Sequence, residues 1–167
     1  MTIDLSPWAA AVPDPVVAAI SSGRNVLIVS HENPDADTLG ASLAVARLVE
    51  ARGGRATSVC TDPPPPLYAF LPGIEAVRTD PAPDEVYDLL VIVDCGSLDR
   101  VGAVRHRHRA LFAAVPTVVI DHTSRTTATG PPTGSTRPPR RRARWSPCWR
   151  PGSASRCRSA RAAWRRH

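Results

Sequence analysis

The chain has 167 residues, enough for one compact domain or one and a fraction, and its net charge of +6 would by itself suggest a nucleic-acid binder. The charge is not mixed along the chain, however: nine arginines against all fifteen acids leave residues 1–122 at −6, while twelve arginines and no acid give residues 123–167 +12. No apolar run approaches the ~20 residues of a membrane span, and the N-terminus lacks the basic stretch of a secretory signal.

The four cysteines (Cys60, Cys95, Cys148, Cys157) have neither Cys-x-x-Cys nor zinc-ligand spacing. They read as free thiols, and a reducing, bacterial-type cytoplasmic location is expected.

In chain order, residues 12–22 are predicted to form a short helix, with Asp14 and Pro15 near its start and Gly23 past its end. Asn25 to Ser30 reads as a buried strand, apolar without alternation as in parallel sheets. Thr38 to Arg52 reads as a helix whose inward stripe is Leu39, Leu43, Ala46 and Val49, stopped by Gly53-Gly54. Arg55 to Cys60 is a second strand, and the prolines from Pro63 to Pro66 impose a stiff extended loop.

Leu67 to Phe70 and Glu75 to Thr79 are short elements before a turn-rich stretch at Asp80 to Asp84. Leu89 to Asp94 is the most apolar strand. Leu98 to Ala114 is predicted as one helix, with Val101, Val104, His108, Leu111 and Phe112 near one side. Its His106-x-His108 pair resembles a metal pair, but residues i and i+2 of a helix point apart. Thr117 to Asp121 is the last expected strand. Strands alternating with helices imply an α/β fold, a Rossmann-like doubly wound and mostly parallel sheet.

After His122 the composition changes. The 45 residues from Thr123 contain no Val, Ile, Leu, Met, Phe or Tyr, and their large apolar side chains are Trp145, Trp149 and Trp164. Such a segment buries too little surface to offset its ordering entropy, so a disordered basic tail is expected.

Chemistry-bearing residues fall at the ends of three predicted strands: His31, Asp35 and Asp37 after the first, Asp94 after the third, and Asp121-His122 after the last. In an open parallel sheet those ends face one crevice. Each residue alone has an ordinary explanation; Asp37, for instance, could cap the helix that follows it. Together they form a set of oxygen and imidazole ligands suited to Mn²⁺ or Mg²⁺. Two such ions about 3.5–4 Å apart can activate a water and steady the leaving oxygen of a phosphoester. One carboxylate must then bridge them, and Asp94, on the central strand, is the natural candidate.

His31-Glu-Asn-Pro-Asp35-Ala-Asp37 with Gly40 three residues on, then Val93-Asp94-Cys-Gly-Ser97, then Ile120-Asp121-His122, resembles the first three motifs of the DHH phosphoesterases. Within them it is most similar to the RecJ-like bacterial oligoribonucleases (nanoRNases) and 3′-phosphoadenosine-5′-phosphate phosphatases, over roughly residues 15 to 122. The resemblance implies a catalytic set of Asp35, Asp37, Asp94 and His122. It also implies that His31 and Asp35 bind one Mn²⁺ and Asp37 and His122 a second, with Asp94 between them. Asp121 would support from behind, and Asn33 and Ser97 would shape the loops. The implied reaction is hydrolysis of short RNA or of a nucleotide phosphomonoester.

The sequence also departs from that pattern. Thr123 stands where the family's third motif has a second, phosphate-contacting His; no acid follows Asp121 to supply the remaining metal ligand; and the glycine-rich C-terminal substrate domain is missing. A lost base accounts for all three. With GC-favouring codons, restoring one C before the codon for Thr123 turns the next residues into His-Val-Glu-Asp-Asp-Arg-Tyr-Gly-Ala-Thr-Asp-Trp-Ile-Asp-Pro. The codon choice is free, so this is compatibility. A truncated catalytic domain at residues 1–122, followed by an out-of-frame tail at 123–167 and itself inactive or nearly so, is therefore the expectation.

Two other functions fit the same residues: a manganese inorganic pyrophosphatase-like hydrolase, and a non-catalytic nucleotide- or RNA-binding protein. The latter would use Arg137 to Trp145 as a basic arm. Oligomeric state is left open.

Overall fold

Runs of Val, Ile and Leu without polar alternation require cover on both faces, and the strands have it. In the computed structural model, which describes residues 12–122 and 127–129, four strands lie parallel: β1 (Asn25–Val29), β2 (Arg55–Val59), β3 (Leu89–Val93) and β4 (Thr117–Ile120). The sheet order is β2-β1-β3-β4-β5, with β5 (Thr127–Thr129) antiparallel to β4. This is the α/β doubly wound architecture expected from the alternation of elements.

On one face, Val26 and Ile28 of β1 and Leu89, Val91 and Val93 of β3 pack against Val16 of α1 (Asp14–Ser22) and Val45 and Val49 of α2 (Ala36–Ala51). On the other, Leu27, Val29, Leu90 and Ile92 meet Val101, Val104, Leu111 and Phe112. Those residues come from a 3₁₀ turn (Leu98–Val101), α3 (Ala103–Arg107) and α4 (Arg109–Ala114). The chain leaves β1 through α2 to β2 on one side, then returns to β3 on the other side of β1. That reversal opens a crevice between the carboxyl ends of β1 and β3, where α/β sheets bind ligands.

Three expectations are corrected. The single helix from Leu98 to Ala114 is broken twice, at Gly102 (φ 72, ψ −143), a conformation no helix contains, and at His108 (φ −111, ψ 34). The positive φ at Gly102 is what requires glycine there; the nearest atom a Cβ would meet, Glu32 Oε2 at 2.6 Å, is the movable end of an exposed side chain. The inward stripe of α2 is Thr38, Leu39, Ser42, Val45 and Val49, while Leu43 and Ala46 are only half-buried. Asp35 begins the helix earlier than expected, and Thr38 is turned onto the sheet. Finally, Thr117 to Asp121 is not the last strand, because the backbone of Thr127–Thr129 pairs antiparallel along the edge of β4.

The short elements after the prolines are 3₁₀ turns, Pro66–Tyr68 and Ile74–Ala76, followed by a bridge from Arg78 to Val59. All described residues belong to one compact unit. The predicted disorder of the tail and the basic arm from Arg137 to Trp145 lie outside the described residues, β5 apart. Among the described residues, no helix is long and apolar enough to cross a membrane.

The two histidines of His106-x-His108 do point apart. His106 Nδ1 accepts from Arg109 Nη2 at 3.3 Å, while His108 Nε2 donates to Asp80 Oδ1 at 2.7 Å. Arg107 Nη2 donates to the same Asp80 oxygen at 3.2 Å, so the break between α3 and α4 is clasped to the loop before β3. Burial acts to raise the Asp80 pKa, but the hydrogen bonds and charges of His108 and Arg107 outweigh it and hold the carboxyl below its ordinary 3.8. A lowered folded pKa contributes stability that is present above pH 3.8 and lost as pH falls through the lower folded value. The Asp80 carboxyl carbon, followed by NMR, should titrate below 3.8 and return toward it in the His108→Ala, Arg107→Ala double variant; an unchanged midpoint refutes the clasp.

Candidate metal centre

Ser30 and His31 continue β1 past its last ladder residue, and His31 is 3 % exposed at the crevice floor. Its Nδ1–H donates to the Glu32 carbonyl at 2.6 Å. That bond fixes the tautomer and leaves the Nε2 lone pair facing the crevice. Asn33 then turns the chain with φ 51, and its backbone N–H donates to Asp62 Oδ2 at 2.7 Å, pinning the loop to the segment after β2. Glu32 N–H donates to the Arg100 carbonyl at 2.8 Å from the other side.

Asp35 caps α2: its Oδ1 accepts from Thr38 N–H at 3.0 Å, while its Oδ2 stands 4.0 Å from His31 Nε2. The cap is thus Asp35, leaving Asp37 exposed in the first turn with no capping role. Asp94 follows β3 with φ 51, a left-handed conformation that aspartate tolerates better than most residues. The backbone N–H of Asp94 donates to the Ile120 carbonyl at 2.8 Å, which ties this turn to the end of β4.

The Asp94 side chain joins two groups. Its Oδ2 is 3.6 Å from His31 Nε2, and its Oδ1 is 3.4 Å from His122 Nε2. His31, Asp35 and Asp94 form one trio and Asp37, Asp94 and His122 another, each with ligand atoms within 4.8 Å of one another. All five expected ligands therefore converge. Asn33, Ser97 and Asp121 belong to neither trio. Asn33 acts through its backbone, Ser97 caps the 3₁₀ turn by accepting from Asp99 N–H at 3.2 Å, and Asp121 is buried at the end of β4.

Three carboxylates packed this closely repel one another, and among the described residues no arginine pairs with Asp35, Asp37 or Asp94. A cation between them relieves that repulsion. The donors suit a hard or borderline divalent ion. Cys60 and Cys95 lie beside the ligands but are buried free thiols. Burial, first of all, pushes the Cys95 thiol up to about 12; the Arg100 charge opposes this, and Asp94 and Asp121 add to it. Cys60 is raised too, chiefly by burial, and its Sγ donates to the His31 carbonyl. Neither offers a thiolate.

Sequence reading missed Thr38 and Asp62. Asp62 follows a strand, as the ligands do, and that pattern was the available signal. Thr38 Oγ1 donates to Asp94 Oδ2 at 2.7 Å across a separation of 56 residues, and no local pattern announces it.

Comparison with known proteins bears on the family and the fold. The model of the "DHH family, N-terminal domain" matches residues 25–148, from the first residue of β1 to beyond β5 and past the His122 boundary of the sequence resemblance. Among solved structures, the chain is similar to an exopolyphosphatase-related protein from Bacteroides fragilis, with a TM-score of 0.55 and 20% sequence identity. The similarity covers 65% of this chain and 34% of that one, so this chain spans about a third of that protein's length; the likeness is one of fold. By the family match over most of its length, the chain belongs to the DHH family.

Proposed function

We propose that the chain carries the catalytic part of a metal-dependent phosphoesterase acting on short oligoribonucleotides or 3′-phosphoadenosine 5′-phosphate. The observation that supports this most is the Asp94 carboxylate, which offers one oxygen to each of two His/Asp trios. In this reading His31, Asp35 and Asp94 hold one Mn²⁺, and Asp37, Asp94 and His122 hold the other. Bound there, two Mn²⁺ ions would supply Lewis acidity to the phosphoryl group and lower the pKa of the attacking water.

The chain's own contribution is position. The His31 ring is locked by its Nδ1 bond to Glu32, and the Asp35 and Asp94 carboxylates are each held by Thr38. The N-terminus of α2 opens onto the same crevice and favours an anionic substrate there.

Support for the ribonucleotide substrates comes from the wording of the three motifs. A second reading, hydrolysis of inorganic pyro- or polyphosphate, has in its favour the description of the Bacteroides fragilis protein as exopolyphosphatase-related. Under either reading the 167-residue chain itself is inactive or nearly so. Thr123 stands where the second His is expected, and residues 123–167, read as an out-of-frame tail, supply no acid.

Assays with Mn²⁺ should show no turnover above background for the chain as it stands. The protein translated after restoring one base behind the His122 codon should cleave a short oligoribonucleotide in preference to pyrophosphate. The reverse preference favours the second reading. Turnover by the 167-residue chain refutes its inactivity, and a gene with no alternative frame after His122 refutes the frameshift.

A further inference from the structure

Thr38 is fully buried in the first turn of α2, an exposure of 0 % that its polar side chain would resist without a partner. It bonds two expected ligands at once. Its backbone N–H donates to Asp35 Oδ1 at 3.0 Å, and its Oγ1–H donates to Asp94 Oδ2 at 2.7 Å. Those carboxylates arise from different elements, the loop after β1 and the turn after β3, and Thr38 is the residue bonded to both.

The bond to Asp94 also selects an orientation. Oδ2 is the oxygen 3.6 Å from His31 Nε2, and Oδ1 is the one 3.4 Å from His122 Nε2. A half-turn about the Asp94 Cβ–Cγ bond restores an equivalent arrangement, but a partial rotation would turn both oxygens away from the two histidines. The Thr38 hydroxyl, buried in the first turn of α2, opposes that partial rotation, because it would break the 2.7 Å hydrogen bond.

We infer that Thr38 is the positioning residue of the metal centre, fixing the Asp94 carboxylate so that its two oxygens serve the two trios separately. The inference rests on the metal-centre reading above and adds a residue outside its ligand set. Thr38 is fully buried and belongs to neither trio. Its hydroxyl acts through Asp94, and partners of this kind, bonded behind a ligand, typically change metal affinity 10- to 100-fold when removed.

The test uses the 167-residue chain and Mn²⁺ itself, titrated by electron paramagnetic resonance, with circular dichroism melting as the fold control. Thr38→Val keeps the branched shape and removes the hydroxyl; Thr38→Ser keeps the hydroxyl and removes the methyl. The Val variant is expected to bind Mn²⁺ roughly 10-fold or more weakly, while the Ser variant stays within about twofold of the parent.

Equal affinity for Val and parent overturns the role of Thr38 alone. Loss in both Val and Ser assigns the effect to packing and overturns it too. If the Val variant does not fold, Thr38→Ala is measured against Thr38→Ser under the same criteria. Absence of Mn²⁺ binding by the parent chain overturns the metal centre itself, and the inference with it.

Discussion

Asp94→Asn is expected to abolish the stabilisation that Mn²⁺ gives the protein while leaving the metal-free fold intact. A ligand that binds only the native state at about 100 times its dissociation constant adds about 2.7 kcal/mol. For a domain of this size that is a rise of roughly 10 °C in melting temperature. The parent chain should show such a rise with saturating Mn²⁺. Asp94 is the one residue common to both trios, so its neutralisation weakens both at once. Asparagine accepts the left-handed backbone that Asp94 occupies at φ 51, so the turn survives.

One negative charge fewer among Asp35, Asp37 and the residue at 94 also lowers the repulsion in the metal-free state. The variant without metal should therefore melt at the parent's temperature or slightly above it. Asp99→Asn is the control: its side chain is 86% exposed and its partner is Arg105, so the Mn²⁺ shift should persist. An Asp94→Asn protein that keeps the full shift contradicts the shared-ligand arrangement.

The ligands were legible because they are local. His31, Asp35 and Asp37 sit within seven consecutive residues, and Asp94 and His122 follow apolar strands whose parallel pairing sends them to one edge. The supports were not legible because they are distant. Asn33 and Asp62 are 29 residues apart, and Thr38 and Asp94 are 56 apart. Nothing in either neighbourhood distinguishes a buried hydroxyl bonded to a carboxylate from an ordinary helix threonine.

The fold was read on the same terms. Continuous apolar runs announced β1 and β3, whereas the helix from Leu98 to Ala114 was misread because its apolar spacing runs through Gly102. That glycine is set by a positive φ of 72, a backbone turn that apolar spacing does not register. β5 escaped because its pairing is supplied by the edge of β4, not by hydrophobicity of its own.

Leu27→Ala should produce the opposite pattern to Asp94→Asn. Leu27 is 0 % exposed in β1, hydrogen-bonded between β2 and β3, and packs in the cluster with Val101 and Val104. Truncation removes buried methyl groups and leaves a cavity that strands on both sides prevent from collapsing, a cost of about 2–5 kcal/mol. Against a total stability of about 5–15 kcal/mol, that is a large fraction, and the melting temperature should fall by roughly 10–20 °C. The hydrogen bonds that hold His31, Asp35 and Asp94 all lie at the strand ends, outside this cluster. Mn²⁺ should therefore still raise the melting temperature of the Leu27→Ala chain by about as much as it raises the parent's. Core and site are then separable: one variant lowers the baseline and keeps the metal shift, the other keeps the baseline and loses the shift. A Leu27→Ala chain that loses both would mean that the carboxylate geometry depends on core packing, and the hydrogen bonds of Thr38 and Glu32 would not suffice to hold it.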